Sequence, residues 1–386
     1  IKVLDTQAAR PAILFLNGEY WGIYYVRERY DKEYLQEHYN LDDKKVAILE
    51  PTQTISVEYG TQEDADAYTN EVINYLKSNP ITQARTYEYI KTKIDIDNYI
   101  VYNIAEIFFG NTDWPAKNVT IWRYKTDDGQ YHPEAPYGQD GRWRWMLKDV
   151  DFGFGLYNKS VSHDTLSYAA GDRIEGTSNP DWSTFLFRTL LQNTEFRNQF
   201  INTFADHLNT SFATERVIEV INNFESVLSP EMTEHANRWT NIKMTASNPG
   251  NPGGGNPGGG NPTWGNPGWG NPGGGNPTWG NPGWGNPGGG NPTWGDPTWG
   301  NPGGGIPTWG GETTWSQNVQ VLKDYARNRP SYMIQFIKNK FSSNGVTGTA
   351  NITLNTDTSK GYIKINTIDI KSSTPGVKDP SRWTGM

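Results

Sequence analysis

The sequence of 386 residues has a formal net charge of −8, no cysteine, and an aromatic-rich composition with 16 Trp and 21 Tyr. The acidic balance argues against a nucleic-acid-binding protein, because such proteins carry a basic stripe or patch. A chain without cysteine can form neither a disulfide framework nor a thiolate metal site. No run of about 18 apolar residues occurs, so the sequence predicts no membrane span. The ends, IKVLD and WTGM, look cut from a longer protein, so the lack of a targeting signal carries little information.

The first predicted element is a β-hairpin within residues 12–30. Its strands are AILFL and YWGIYYV, and Asn17-Gly18 between them is a strong signal for a two-residue turn. Gly22 inside the second strand indicates a bulge or a close approach of another group to the backbone. Asp31 follows as the expected N-cap of a helix over DKEYLQEHY.

Three helices are predicted next, over residues 62–79, 82–93 and 96–109. The first has its apolar residues on one face, as expected of a helix that packs against a core. The third is apolar nearly all round, which predicts that it is buried, and it leads directly into the loop GNTDWPAKN. The strands VTIWRY and RWRWMLKDV are expected to follow, joined by a Gly-, Asp- and Pro-rich connection over residues 126–141.

The second half of the chain is predicted to be mainly helical. Capped helices are expected from about residue 180 to 239. A helix pair is expected over residues 315–341, broken at Arg329-Pro330, because the residue before a proline disfavours the helical conformation. From residue 346 onward, TGTANITLNT and GYIKINTIDI alternate polar and apolar residues, which predicts a β-hairpin in a separate module.

Residues 251–310 form a tract of twelve pentapeptides N-P-x-x-G, with Asp296 and Ile306 in place of the Asn in two of them. The Pro and Gly of each unit predict a series of turns and exclude a long helix. One interpretation is a flexible linker. The other is an ordered ribbon whose seven Trp rings stack on each other, on a second copy or on a polysaccharide. Both remain open, and either makes the tract an expanded surface loop between two helices.

The strongest candidate site consists of four polar residues: Asp113, Asn118, Asp149 and Asp151. An Asp with an Asn five residues later, and then a D-x-D-F-G segment after two strands, is the order in which kinases place their catalytic and metal-binding groups. Asp113 follows a buried helix, so we expect it on a rigid support. Asp149 and Asp151 are expected to leave a strand end in the same direction, where they would repel each other unless a cation such as Mg²⁺ lay between them. The alternative is that these residues cap helices and turns.

Five blocks of the sequence, in this order, resemble the CotH kinase family, the spore-coat kinase-like proteins that also occur among secreted bacterial proteins. The blocks are NGEYWGIYYVRERYDKEYL, FFGNTDWPAKN, WRWMLKDVDFGFG, EMTEHANRW and a late W-x3-V-x2-L-x2-Y-A-x-x-RP pattern. They cover roughly residues 12–245 and 312–341. The resemblance implies an α+β, atypical protein-kinase-like fold of two lobes, with a truncated N-terminal lobe and a mostly helical C-terminal lobe.

The resemblance also implies the chemistry, with ATP and Mg²⁺ as cofactors and a Ser or Thr of a coat or extracellular protein as the phosphate acceptor. By position, Asp113 would be the catalytic residue, and Asn118, Asp149 and Asp151 would hold the metal and with it the nucleotide. Glu28, just beyond the strand YYVRE, would be a hinge-like contact to the adenine. Which of Asp149 and Asp151 is the main metal ligand stays open.

Two departures from the family pattern bear on activity. The strands expected before the NGEYWG hairpin, with a Lys that reaches the phosphates, do not occur in this sequence, and Lys148 stands where the family often has Trp. A second hypothesis is therefore a catalytically impaired kinase-like scaffold. Its Trp-rich repeat would mediate self-association into extracellular fibres, or adhesion to a surface or polysaccharide.

The sequence thus predicts three parts. Residues 1–245 and 312–343 are expected to form the kinase-like domain, residues 248–311 an inserted NPxxG repeat, and residues 346–386 a partial β-rich module. The protein is expected to be secreted, or located at the cell surface or in the spore coat of a bacterium.

Overall fold

The computed structural model describes residues 4–156, 160–174, 176–239, 242, 244 and 314–385, so the pentapeptide tract predicted for residues 251–310 lies outside the described residues. Helices and antiparallel strands are combined, as the α+β prediction requires. The strands are β1 Ala9–Leu16, β2 Glu19–Arg27, β3 Val46–Pro51, β4 Ile55–Tyr59, β5 Thr120–Tyr124, β6 Arg144–Met146, β7 Ile352–Asn355, β8 Ile363–Ile365, β9 Ile368–Ile370 and β10 Arg382–Gly385. The helices are α1 Lys32–Tyr39, α2 Gln62–Tyr68, α3 Tyr75–Ser78, α4 Ala84–Lys91, α5 Ile96–Phe109, α6 Thr165–Ala169, α7 Asp181–Leu190, α8 Thr194–Leu208, α9 Thr214–Arg238 and α10 Trp315–Lys340, with a π-helical turn, Thr69–Asn74, between α2 and α3. Throughout this described part, every helix is too short or too polar to cross a lipid bilayer.

A four-stranded antiparallel sheet, in the order β4-β3-β5-β6, forms one side of the fold. The sequence predicts β5 and β6 but not β3 and β4, which lie in a segment rich in turn residues. β3 is buried from Val46 to Leu49, and its register places Ile48 opposite Trp122 of β5. A strand buried on both faces has no alternation of polar and apolar residues, so its periodicity does not reveal it.

Helix α5 is buried along most of its length and packs against β6 and against α6, α8 and α10. It begins at Asp95, whose side chain accepts a hydrogen bond from the backbone N–H of Asn98 at 3.2 Å. It ends at Gly110, which has a φ of +68°. Glycine is favoured there because this φ is left-handed. In addition, a Cβ would lie 2.4 Å from the hydroxyl oxygen of Tyr325. The end of α5 is therefore held in a fixed position.

Helix α10 crosses the end of α5, and it does not break at Arg329-Pro330, so that prediction is wrong. The Arg329 side chain is fully buried. Its guanidinium donates to four backbone carbonyls, those of Ile107, Phe108, Val161 and His163. Two of these carbonyls, those of Ile107 and Phe108, lie in the last turn of α5, where a cation is favourable. Pro330 cannot donate to the carbonyl of Ala326, and the hydroxyl of Thr214 donates to that carbonyl instead at 3.2 Å.

The predicted β1–β2 hairpin is confirmed, and it forms a two-stranded sheet separate from the main one. Its register shifts after Leu14, which pairs with Gly22, so the predicted bulge is also confirmed. Many of its apolar side chains remain in contact with solvent, including Phe15, which is 60% exposed, and Val26, which is 63% exposed. The hairpin thus presents an apolar surface outside the core.

Helix α9 packs against the hairpin and ends at Arg238, which precedes the pentapeptide tract in the sequence. The Nδ1 atom of His235 accepts a hydrogen bond from the backbone N–H of Ile23 at 3.0 Å, and the indole N–H of Trp239 donates to the carbonyl of Trp21 at 3.0 Å. The chain returns at Trp315, where α10 begins and packs along α9. The tract is therefore inserted between two helices that contact each other.

The C-terminal strands pair differently from the prediction. β7 pairs with β10, and β8 pairs with β9 inside GYIKINTIDI, whereas a single hairpin of TGTANITLNT with GYIKINTIDI was expected. The reason is the two-residue turn Asn366-Thr367, in which Asn366 has a φ of +44°. The same turn binds α8, because the carboxylate of Asp206 accepts from the Thr367 N–H at 3.0 Å and from the Asn366 side chain at 2.9 Å.

Candidate functional site

Asp113 lies in a tight loop shortly after the end of α5. Its carboxylate accepts a hydrogen bond from the side-chain amide of Asn118 at 3.2 Å and pairs with the ammonium of Lys117 at 3.2 Å. The Asp113 side chain is 26% exposed, so it can still face a ligand. Asn118 has a φ of +58°, and β5 begins only at Thr120. The prediction that Asn118 is the first residue of this strand is therefore wrong. The structure brings Asp113 and Asn118 into direct contact.

Asp149 and Asp151 lie beyond a strand and not on it. β6 ends at Met146, and Asp149 has a φ of +53°, so the two side chains do not leave a regular strand in the same direction as predicted. They interact nevertheless, because partial burial and the charge of Asp149 raise the pKa of Asp151. Both residues are exposed. Two carboxylates close together on the surface repel each other, and a bound cation would offset that repulsion.

The segment that carries Asp151 is fixed against the end of α5. The backbone N–H of Phe154 donates to the carbonyl of Phe109 at 2.7 Å. A Cβ at Gly153 would lie 2.9 Å from the same carbonyl oxygen, so this close approach of two backbones requires glycine. The D-F-G-F-G glycine therefore has a packing role that the sequence motif alone does not show.

The residues just before Asp149 are tied to the sheet. The ammonium of Lys148 pairs with the carboxylate of Glu50 on β3. The hydroxyl of Tyr30 donates to the carbonyl of Leu147 at 2.9 Å. The segment with the two carboxylates is thus held on both sides, by the sheet before it and by α5 after it.

Asn111, which the sequence analysis did not select, connects the Asp113 loop to the Asp149 segment. Its Oδ1 accepts from the backbone N–H of Asp113 at 3.2 Å, and its Nδ2 donates to the backbone carbonyl of Asp149 at 3.3 Å. Nδ2 also donates to Oε2 of Glu106 at 2.9 Å. Only 1% of Asn111 is exposed, so it is a buried bridge between the two parts of the candidate site.

Glu106 is a buried carboxyl group on α5, next to this bridge. Burial raises its pKa to about 8; the charge of Asp149 adds to this increase and the hydrogen bond from Asn111 opposes it. Its second oxygen, Oε1, has no hydrogen-bond partner among the described residues. The sequence does contain a signal for Glu106, namely an acid near the end of an otherwise apolar helix, where a charge must be neutralised or compensated.

The donor chemistry of Asn118, Asp149 and Asp151 fits a magnesium ion bound together with phosphates. Within the ranges that the structure describes, no three Asp, Glu or His side chains converge into a metal-binding cluster. Such a cluster is not needed for Mg²⁺ in a nucleotide site, which uses one or two carboxylates and takes its other ligands from water and phosphate. The residues therefore fit a cation that arrives with a nucleotide better than one held by protein groups alone.

Glu28 lies in surroundings that do not favour the predicted contact to an adenine. Its backbone N–H donates to the carbonyl of Ala8 at 2.9 Å, and its carbonyl accepts from the side chain of Gln7 at 2.7 Å. Its carboxylate accepts from the backbone N–H of Ala8 and pairs with His38, and these contacts lower its pKa. The groups that a hinge residue would offer to an adenine are thus used within the chain, and the nucleotide contact of Glu28 stays a prediction.

A cavity of about 600 Å³ borders the Asp113 loop. Trp114, Pro115 and Val119 from this loop line it, together with aromatic rings such as Tyr102 of α5 and Trp182 of α7. None of Asp113, Asn118, Asp149 and Asp151 is among the lining residues. The cavity therefore adjoins the candidate catalytic group without containing the candidate metal ligands.

A family model described as CotH kinase protein matches residues 3–333. That range includes α5, the Asp113 loop, the Asp149–Asp151 segment and Arg329 of α10. Among curated proteins, none matches the chain.

Proposed function

The chain belongs to the CotH kinase protein family, and from this membership we propose that it transfers phosphate from Mg²⁺-bound ATP to a Ser or Thr of a protein substrate. The family implies ATP, a divalent cation and a protein substrate in general terms. The observation that carries the proposal is the Asn111 bridge, which joins the backbone at Asp113 to the backbone at Asp149. It places the candidate catalytic group and the candidate metal ligands on one rigid support.

We also propose a two-lobed kinase-like arrangement for the fold. The order of elements supports it: helix α5, the Asp113 loop, β5, β6 and then the D-F-G segment. The sheet would form one side of the nucleotide site, and α5 with the helices around it would form the other.

In the proposed reaction, Asp113 orients the acceptor hydroxyl and accepts its proton. The hydroxyl oxygen bonds to the γ-phosphorus, and the bond from that phosphorus to the bridging oxygen breaks, so ADP leaves with the bonding electrons. Asn118, Asp149 and Asp151 would hold Mg²⁺, which when bound neutralises charge on the phosphates. The contacts from Lys117 and Asn118 orient the Asp113 carboxylate before the acceptor binds.

We place the acceptor polypeptide, not the phosphates, at the cavity beside the loop. The charged residues that line the cavity are Lys77 and Asp181, which is too little positive charge for a triphosphate. Its aromatic walls suit apolar side chains next to the acceptor hydroxyl. Trp182→Ala should therefore raise the KM for the acceptor protein and leave the KM for ATP unchanged. An effect on the KM for ATP alone would contradict this placement.

The test of the proposed function uses the full chain with ATP, Mg²⁺ and a dephosphorylated casein as a general Ser/Thr acceptor. Wild-type protein should bind ATP in a Mg²⁺-dependent manner by calorimetry and should transfer labelled phosphate. Asp113→Ala should lose transfer and keep nucleotide binding. If the full chain shows neither Mg²⁺-dependent ATP binding nor transfer, the proposal is wrong.

A second candidate function is self-association at the bacterial surface, in a secreted assembly or in a spore coat. The apolar side of the β1–β2 hairpin, with Phe15 and Val26 exposed, supports it, because α9 packs on this hairpin and the Trp-rich tract follows α9. Replacing residues 251–310 by a short Gly/Ser linker should convert an assembled species to a monomer in sedimentation velocity. Equal sedimentation of the two proteins would reject this function.

A further inference from the structure

We infer that Asn111 is a positioning residue that sets the distance between the proposed catalytic base and the proposed metal ligands. This inference rests on the proposed function. Asn111 itself is too deeply buried to touch a substrate, with 1% of its surface exposed. It acts through two backbone groups. Its side chain accepts a hydrogen bond from the N–H of Asp113 and donates one to the carbonyl of Asp149.

The orientation of the Asn111 amide follows from its partners and is not arbitrary. The backbone N–H of Asp113 can only donate, so the atom that faces it must be the acceptor Oδ1. The backbone carbonyl of Asp149 can only accept, so the atom that faces it must be the donor Nδ2. The two requirements agree, and only a side chain with one acceptor end and one donor end satisfies both.

Glu106 completes the arrangement. Nδ2 of Asn111 carries two hydrogens, one for the Asp149 carbonyl at 3.3 Å and one for Oε2 of Glu106 at 2.9 Å. The backbone carbonyl of Glu106 also accepts from the N–H groups of Gly110 at 3.1 Å and Asn111 at 3.2 Å. Both the side chain and the backbone of Asn111 are therefore anchored to the last turn of α5.

An aspartate would have the same shape as Asn111 but could not replace it. The carboxylate of Asn111→Asp would have no hydrogen to donate to the Asp149 carbonyl, so this attractive contact would become repulsive. A glutamine in place of Glu106 keeps a neutral acceptor for Nδ2. Comparing the isosteric changes Asn111→Asp and Glu106→Gln thus distinguishes the effect of losing the donor at residue 111 from the effect of changing its acceptor at residue 106.

The experiment compares Asn111→Ala and Asn111→Asp with Glu106→Gln in the full chain, using ATP and casein. Both Asn111 variants should lower kcat by about 10- to 100-fold, because displacement of a catalytic group by about 1 Å costs up to 10²-fold. The KM for casein should stay unchanged, and Glu106→Gln, which keeps an acceptor for Nδ2 of Asn111, should lower kcat less than Asn111→Asp does. Binding of Mn²⁺ with ATP, measured by electron paramagnetic resonance, should weaken in Asn111→Ala, which gives a readout besides activity.

Asn98→Asp is the matched control for loss of stability. Asn98 lies on the same helix and also bridges two backbone groups, the N–H of Trp145 at 2.6 Å and its carbonyl at 3.1 Å, but these belong to β6 and not to Asp113 or Asp149. It should lower the melting temperature, while the kcat of the folded fraction stays at the wild-type value. A fall in kcat equal to that of Asn111→Asp would overturn the inference.

Hydrogen exchange of the wild-type protein tests the contact even if the variants fail to fold. The Asp113 amide should be protected, because Asn111 accepts its hydrogen. A rapidly exchanging Asp113 amide, or an unchanged kcat in folded Asn111→Ala, would overturn the inference. Absence of ATP binding and transfer in the wild type would instead refute the proposed function, while a protected Asp113 amide would still show that the bridge exists.

Discussion

The two parts of the candidate site balance their negative charge in opposite ways. Asp113 has the ammonium of Lys117 and the amide of Asn118 at 3.2 Å each. Asp149 and Asp151 instead oppose each other, and the charge of Asp149 contributes to the raised pKa of Asp151. Side chains of the protein itself neutralise and orient the Asp113 carboxylate, whereas the Asp149 and Asp151 carboxylates are stabilised only when a cation binds. This difference predicts that chemistry and metal binding can be separated by mutation.

The largest expected effect is the loss of chemistry without loss of metal binding. Asp113→Asn removes the proton acceptor, and positioned general bases contribute about 10²- to 10⁴-fold, so kcat should fall by that factor. The affinity for Mg²⁺ and ATP, measured by calorimetry, should change little. Asp127→Asn, which removes a surface carboxylate paired with Lys45 at 2.6 Å, is the control and should keep full activity. A parallel loss of Mg²⁺ binding in Asp113→Asn would show that the two parts are not separable.

Glu106, which lies beneath both parts, should make stability depend on pH. Its pKa is raised from 4.5 to about 8 in the folded protein. Between these values the unfolded chain is ionised while the folded protein keeps the proton, so stability falls as pH rises, by up to about 1.4 kcal/mol per pH unit. Glu106→Gln should therefore be more stable than wild type at pH 8 and similar to it near pH 4.5, as measured by urea denaturation. An equal pH dependence in both proteins would show that Glu106 does not titrate in this window.

Mutation of Asp149 and Asp151 should mainly weaken metal binding, whereas mutation of Asp113 should mainly lower kcat. Asp149→Asn combined with Asp151→Asn should weaken Mg²⁺ binding in the presence of ATP by more than about tenfold, or about 1.4 kcal/mol. The single variants should show which residue is the main ligand. Glu50→Gln, which alters the partner of Lys148 without removing a proposed ligand, serves as the comparison. Wild-type Mg²⁺ affinity in the double variant would exclude these residues as the metal site.

The smallest effect concerns the protein without a cation. Asp149→Asn removes repulsion between two exposed carboxylates, a contribution of about 0.2–1 kcal/mol, so it should slightly raise the melting temperature in EDTA. With Mg²⁺ and ATP the order should reverse, because wild type gains stability from the bound ligand and the variant gains less. Asp128→Asn, which breaks the pair with His132, should slightly lower the melting temperature in both buffers. A destabilised Asp149→Asn in EDTA would contradict the proposed repulsion.

Local signals in the sequence predict much of this fold. Asn17-Gly18 identifies the hairpin, Asp31 identifies the start of α1, and the apolar run of residues 96–109 identifies α5. The errors occur where contacts distant in sequence decide the conformation. Helix α10 continues through Pro330 while Thr214 of α9 donates to the Ala326 carbonyl and Arg329 binds carbonyls of α5, contacts that local preference does not foresee.

The site could be predicted in outline but not in its connections. The spacing of Asp113 and Asn118 selects both residues for the site, and the structure adds that their side chains are in direct contact. The left-handed backbone at Asp149 could not be foreseen, since it depends on contacts from β3 and α5. Asn111 was overlooked because its role depends on backbone groups, and backbone groups leave no trace in residue identity.

Arg329 also bears on the order in which the domain can be completed during synthesis. The carbonyls at the end of α5 emerge from the ribosome long before Arg329, which follows Trp239 by about 90 residues that include the whole pentapeptide tract. At about 5–20 residues per second, synthesis of the residues between Trp239 and Arg329 takes roughly 5–20 s. During this interval the helix that supports Asp113 lacks its buried cation. The tract therefore adds to the time in which the nascent domain is open to chaperones and proteases, and a shorter tract would shorten that time.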